Sequence, residues 1–282
     1  MKPVSPYSNF PKLSSTFLLI TLIVLMCASC TEKIDWELDY KESDVIVVEG
    51  KITSELLPHE VILSWPVYEM NTLPEPVTGA EVEINDARTI HKLREDPSRP
   101  GVYLSDGSFA GEVGKGYQLR IRHGERQVTA VAFMWEALPF PNMRLHLVQN
   151  NPPLYEVYIN DQNGPSIIRM ELDWSHVRGY ENLPSHENHA LIYHYTLGTV
   201  DVNHIFSPDR EHVYFPPGTI VFREKESVSR AYGEFLRGML SETDWRGGVF
   251  DVLPGNARTN LSEGAIGFFT ACDMIRDTLI IE

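Results

Sequence analysis

From Asp44 to Phe133 the side chains alternate. Ala80-Glu81-Val82-Glu83-Ile84 sets apolar and charged residues on alternate positions, and Tyr117-Gln118-Leu119-Arg120-Ile121 repeats the habit. A strand turns successive side chains to opposite faces, so this period fits a sheet with one buried and one wet face. Val45-Ile46-Val47-Val48, Val61-Ile62-Leu63-Ser64-Trp65, Gly101-Val102-Tyr103-Leu104 and residues 126–133 read as further strands. Pro74-Glu75-Pro76, Asn85-Asp86, Asp106-Gly107 and the glycine-rich 111–116 stretch break the runs as turns. Short strands at this spacing predict an N-terminal immunoglobulin-like β-sandwich over residues 44–136. The prediction concerns architecture only, because the paired cysteines of antibody domains are missing.

Leu138-Pro139-Phe140-Pro141 reads as a stiff linker into a second half. There, residues 144–148, 155–159, 167–174 and 219–222 have strand character, and 190–197 with 199–206 suggest a hairpin around Gly198. One helix is predicted over 227–240. Val228, Ala231, Tyr232, Phe235, Leu236 and Met239 form its apolar stripe, with Glu224 and Glu226 ahead of its N-terminus. Residues 265–271 and 278–281 read as two last strands. The expected class is mainly β: a sandwich followed by a β-rich domain, residues 137–282, with one packed α-helix.

The leader sets the expected location. Lys2 and Lys12 precede an apolar run over 17–26, and the small residues Ala28 and Ser29 lead to Cys30. That order is the pattern of a secretory signal. The run is shorter than the roughly 20 residues a membrane-spanning helix needs. Ala28-Ser29-Cys30 resembles a bacterial lipobox, with Cys27 where Leu usually stands and Leu25 further back. The resemblance implies cleavage of residues 1–29, lipidation of Cys30, and a polar tether over 30–43. Each buried methylene of the acyl chains would add about 0.8 kcal/mol of membrane affinity. The expected partner is therefore a lipid bilayer, reached through acylated Cys30. Glu32, Asp35, Glu37 and Asp39 make the tether acidic. The periplasmic and cell-surface faces both stay open.

The chain carries a formal charge of −15, and losing Lys2 and Lys12 makes the remainder more acidic. Nucleic acid as a partner is excluded on this ground, since it calls for a basic face. Beyond Cys30 the processed chain holds one cysteine, Cys272, which follows Phe268-Phe269-Thr270-Ala271 and is expected to be a small buried hydrophobe.

No catalytic constellation emerges. The metal candidates are His186 and His189, in Ser185-His186-Glu187-Asn188-His189, with His194 downstream. The pair falls one residue short of the i, i+4 spacing that sets two histidines on one helical face around zinc. A polar surface loop is the competing reading. Asp161-Gln162-Asn163-Gly164 lacks the later glutamate of a calcium loop. Asp244, Asp251 and Asp273 are too scattered to read as a glycosidase pair. No G-x-S-x-G elbow or phosphate loop is present. No cofactor is expected.

Three stretches together resemble a known family. They are Val47-Val48-Glu49-Gly50 with Val61-Ile62-Leu63-Ser64; Pro76-Val77-Thr78-Gly79-Ala80-Glu81-Val82 with Gly101-Val102-Tyr103 and Gly116-Tyr117-Gln118-Leu119; and Pro254-Gly255-Asn256-Ala257-Arg258-Thr259-Asn260-Leu261 with Gly264-Ala265-Ile266-Gly267-Phe268-Phe269. The chain is similar to the domain of unknown function 4249 family of envelope lipoproteins. The resemblance implies an outer-membrane lipoprotein that accompanies a TonB-dependent outer-membrane receptor, and it supplies no catalytic residue. The expected function is a binding or accessory component of such a transporter. A surface adhesion or structural module and a metal-dependent hydrolase are the alternatives.

Overall fold

The computed structural model describes residues 45–67, 71–159, 164–197, 212–242 and 257–282. The leader, Cys30, the acidic tether, the Asp161 loop, residues 199–206, Asp244, Asp251 and residues 254–256 lie outside the described residues. The class is mainly β, with half of the chain in strands.

In chain order the first strands are β1 (Ile46–Thr53), β2 (Glu60–Ser64), β3 (Glu81–Asn85), β4 (Ile90–Glu95), β5 (Val102–Leu104), β6 (Gly116–His123) and β7 (Arg126–Phe133). Then come β8 (Met143–Asn150), β9 (Pro153–Ile159), β10 (Ser166–Asp173), β11 (His189–Thr196) and β12 (Ile220–Ser227). The chain finishes with β13 (Ala265–Cys272) and β14 (Met274–Ile280). Two helices are described: α1 (Ser185–Asn188) and α2 (Arg230–Glu242).

Eight strands make one sheet in the order β13-β1-β2-β5-β4-β3-β6-β7. It folds over at β4, which pairs with β3 from Ile90 to Leu93 and with β5 through Arg94 and Glu95. Its outer strands β7 and β13 approach each other, giving a nearly closed sandwich or barrel. The alternation has its consequence here. Ile46, Val48 and Ile52 of β1, Ile84 of β3 and Leu119 and Ile121 of β6 point inward and are fully buried. Full burial of such a side chain is worth about 1.5–3 kcal/mol.

The second sheet runs β11-β10-β12-β14, all antiparallel. Ile168, Met170, Leu172 and Val221 fill its apolar face, against Phe140, Tyr155 and Val157. Its other face carries a row of charges: Arg169 to Glu224 at 2.7 Å, Glu224 to Arg276 at 2.7 Å, and Arg276 on to Glu55 just after β1. The β8–β9 hairpin forms a third, two-stranded sheet.

The fold departs from the expected boundary at residue 137. β13 lies parallel to β1, Ile46 opposite Ala265 and Thr53 opposite Cys272, so it completes the first sheet rather than the second. Only at Asp273 does the chain cross to the second sheet. A parallel neighbour far along the chain leaves no turn signal, and its position is set by packing. Gly267 admits the contact: at φ +99 a Cβ there would meet the Val48 carbonyl oxygen at 2.1 Å.

The helix begins later than expected. Residues 224–227 continue β12, and Ser229 caps α2, its hydroxyl accepting the Tyr232 N–H at 3.2 Å. Glu224 and Glu226 are therefore strand residues and not helix-terminal acids. Met239, expected on the buried stripe, is 45% exposed, whereas Leu240 is buried. β4 gave no periodic signal, because only Leu93 in Ile90–Glu95 is buried.

Candidate functional site: a cleft over the sheet seam

The gap between β7 and β13 is closed by side chains from residues 259–262. Asn260 Nδ2 donates to the Val131 carbonyl on β7 at 3.0 Å and to the Phe269 carbonyl on β13 at 2.7 Å, while its Oδ1 accepts the Phe269 N–H at 3.1 Å. Thr259 Oγ1 donates to the Gly267 carbonyl, and the Ser262 hydroxyl accepts the Thr129 N–H. An amide side chain carries two donors and two acceptor sites, so one asparagine can satisfy both strand edges at once.

Over this seam lies a cleft of about 460 Å³. That volume is in the small-molecule range, roughly 300–1,000 Å³. Its walls include Phe133, Trp135, Leu138, Val228 and Phe268. β7 points Val128, Ala130 and Ala132 inward, so Val131 and Phe133 face out, 49% and 58% exposed, and Trp135 just beyond is 62% exposed. An outward stripe of apolar side chains breaks the polar-out habit of a half-wet sheet and marks a surface that meets something.

The floor joins the two sheets. Ser227 Oγ donates to the Trp135 carbonyl at 2.6 Å and accepts the Asp273 N–H at 2.9 Å, and Asp273 Oδ2 accepts the Ala137 N–H at 2.9 Å. Lys225, fully buried, donates to the Pro139 carbonyl at 3.2 Å. Glu226 receives the ammonium of Lys51 at 2.6 Å. Burial alone would lower the Lys51 pKa, but the Glu226 carboxylate outweighs it and holds the ammonium charged above its ordinary range. Beside this pair burial raises the Tyr232 pKa, and it pushes the Cys272 thiol up to about 12. Cys272 is a buried thiol far from nucleophilic, in its expected role.

The structure does not bring the three histidine candidates together. His186 lies on α1, 77% exposed in its side chain, beside Glu187. His189 Nδ1 is 2.6 Å from Asn188 Oδ1 and its Nε2 is 3.2 Å from Asp173. His194 lies on β11 five residues beyond His189, and a strand's period of two sends them to opposite faces. Among the described residues no group of three or more histidine, cysteine, aspartate or glutamate side chains could hold a metal ion.

A sequence profile for a domain of unknown function, DUF4249, matches residues 31–276. The chain belongs to the DUF4249 family. No curated protein matches it. Among solved structures, a chain of a cytokine receptor complex in crystal form 1A aligns over 83% of this chain and 95% of its own length, at 8% identity and a TM-score of 0.24. So weak a likeness bears on neither fold nor function. Within this DUF4249 chain, Thr259 and Asn260 belong to the third of the stretches that carry the family resemblance, and both form the seam clamp. The cleft itself escaped the sequence reading, because its walls come from residues 131–138, 164–166, 225–231, 260 and 268–269, five separate pieces of chain. The one available signal was the exposed-face pair Val131 and Phe133 on β7.

Proposed function

We propose that this chain is an outer-membrane lipoprotein, anchored through acylated Cys30, whose β body binds ligand or partner beside a TonB-dependent outer-membrane transporter. The observation that carries the reading is the lipobox-like Ala28-Ser29-Cys30, one residue ahead of the family match, in a chain whose body exposes an aromatic cleft. Binding rather than catalysis is favoured by the site's chemistry. Ser227 and Asn260 are engaged as clamps, and the Cys272 thiol is held in its protonated form.

Mass spectrometry of the mature N-terminus tests the anchor, with a diacyl or triacyl Cys30 expected. A Cys30→Ala variant should leave the membrane fraction. Purification from intact envelopes in mild detergent tests the partner, and repeated isolation without any transporter would sink that half of the reading.

A surface adhesion module is the second reading. It is favoured by the β8–β9 hairpin, where Leu145, Leu147, Val148 and Tyr158 are each more than a third exposed. Protease shaving of intact cells tests this second reading: an adhesive body is cut, and a body protected in the periplasm would sink it.

A further inference from the structure

The seam cleft restricts its ligand by shape, hydrogen-bond inventory and charge together. Its polar wall groups are engaged within the protein: Ser227 with Trp135 and Asp273, Ser229 with Tyr232, and Asn260 with both seam strands. A ligand built on hydroxyls and amides would give up water and find few replacement partners. An apolar body loses nothing there and covers the exposed Phe133 and Trp135 rings.

The charges choose the head group. Val228, Ser229, Arg230 and Ala231 in the wall are the approach and first turn of α2, a helix of 13 residues with no acidic residue in that turn. Its N–H groups and its dipole make this a positive end. Arg230 adds a full charge on a side chain 93% exposed, whereas Lys225, also in the wall, is fully buried and donates to the Pro139 carbonyl. In the floor Asp273 accepts the Ala137 N–H and Glu226 is paired with Lys51, and two further carboxylates lie toward Arg230. Glu136 is in the lining, and Glu234 meets Arg230 at 3.3 Å in an exposed i, i+4 pair, a weak contact that a competing anion can share.

We propose that the cleft binds an amphipathic monocarboxylate, its alkyl or aryl body laid on Phe133 and Trp135 and its carboxylate turned toward Arg230 and the first turn of α2. The inference rests on reading this cleft as the chain's binding site.

The test uses the full chain in phospholipid nanodiscs, with empty nanodiscs as the blank and tryptophan fluorescence as the readout. Decanoate, decanol and decyltrimethylammonium are titrated below their aggregation limits. Decanoate should give a saturable change that disappears in Trp135→Phe, decanol should bind about tenfold more weakly, and the cation more weakly still. Arg230→Glu places an acid where the helix dipole favours one, so the fold holds. That variant should weaken decanoate at least about tenfold and leave decanol unchanged. Equal binding of decanol and decanoate, indifference to Arg230→Glu, or no saturable change would each overturn the proposal. A transporter recovered from envelopes alongside absent decanoate binding would sink the ligand class and leave the partner reading standing. Decanoate binding by a chain whose Cys30 is unmodified would do the reverse.

Discussion

Asn260 makes three hydrogen bonds with one side chain and ties two strands together. Truncation leaves the Phe269 N–H and two carbonyls short of partners, so Asn260→Ala should cost about 2–4 kcal/mol in urea unfolding. Asn260→Asp keeps the acceptor and loses both donors, and should fall between. Lys51 and Glu226 make a second long-range contact, with the Lys51 side chain 42% exposed. Solvent screening keeps that pair modest, and Lys51→Met should cost about 1–2 kcal/mol. His59, 1% exposed, has its pKa lowered from 6.5 by burial, with the nearby His91 acting in the same direction. A depressed folded pKa means the unfolded chain takes up a proton that the fold refuses. Stability therefore falls as pH drops below 6.5 toward the folded value. The urea midpoint should decline on acidification through this window, and part of that decline should vanish in His59→Gln.

At the level of elements, α2 docks by its aromatic stripe. Tyr232 and Phe235 meet Phe268 of β13 at ring-centroid distances of 5.2 and 5.0 Å. Phe235 is only half-buried, so Phe235→Ala should cost about 1–3 kcal/mol, with the loss visible as earlier thermal unfolding. The helix was legible from Tyr232, Phe235 and Leu236, whose spacing is local. Its start was not. Glu224 and Glu226 look like acids ahead of a helix, but contacts distant in sequence, Lys51 with Glu226 and the Pro139 carbonyl with Lys225, hold residues 225 and 226 buried in a strand. The strands β8 and β9 were legible from local alternation, and the structure pairs them as a hairpin, Leu145 opposite Val157 and Leu147 opposite Tyr155.

At the scale of the molecule, the last strands hold both sheets. β13 borders β1 along its whole length, and β14 borders β12. Removing residues 263–282 exposes the edge of each sheet and uncovers the buried faces of β1 and β12. The shortened chain should be protease-sensitive throughout rather than only in its second half, as limited proteolysis would show. A fold of two independent domains divided at residue 137 would instead leave the first domain resistant. The sequence alone determined the strand class, most strand positions, one helix and the burial of Cys272, because alternation and apolar spacing are properties of neighbouring residues. Only the tertiary structure decided that β13 returns to β1, that Asn260 spans the seam, that Glu226 belongs to a strand and that five pieces of chain enclose a cleft. Each of these depends on contacts between residues far apart in the chain, whose energies no local period records.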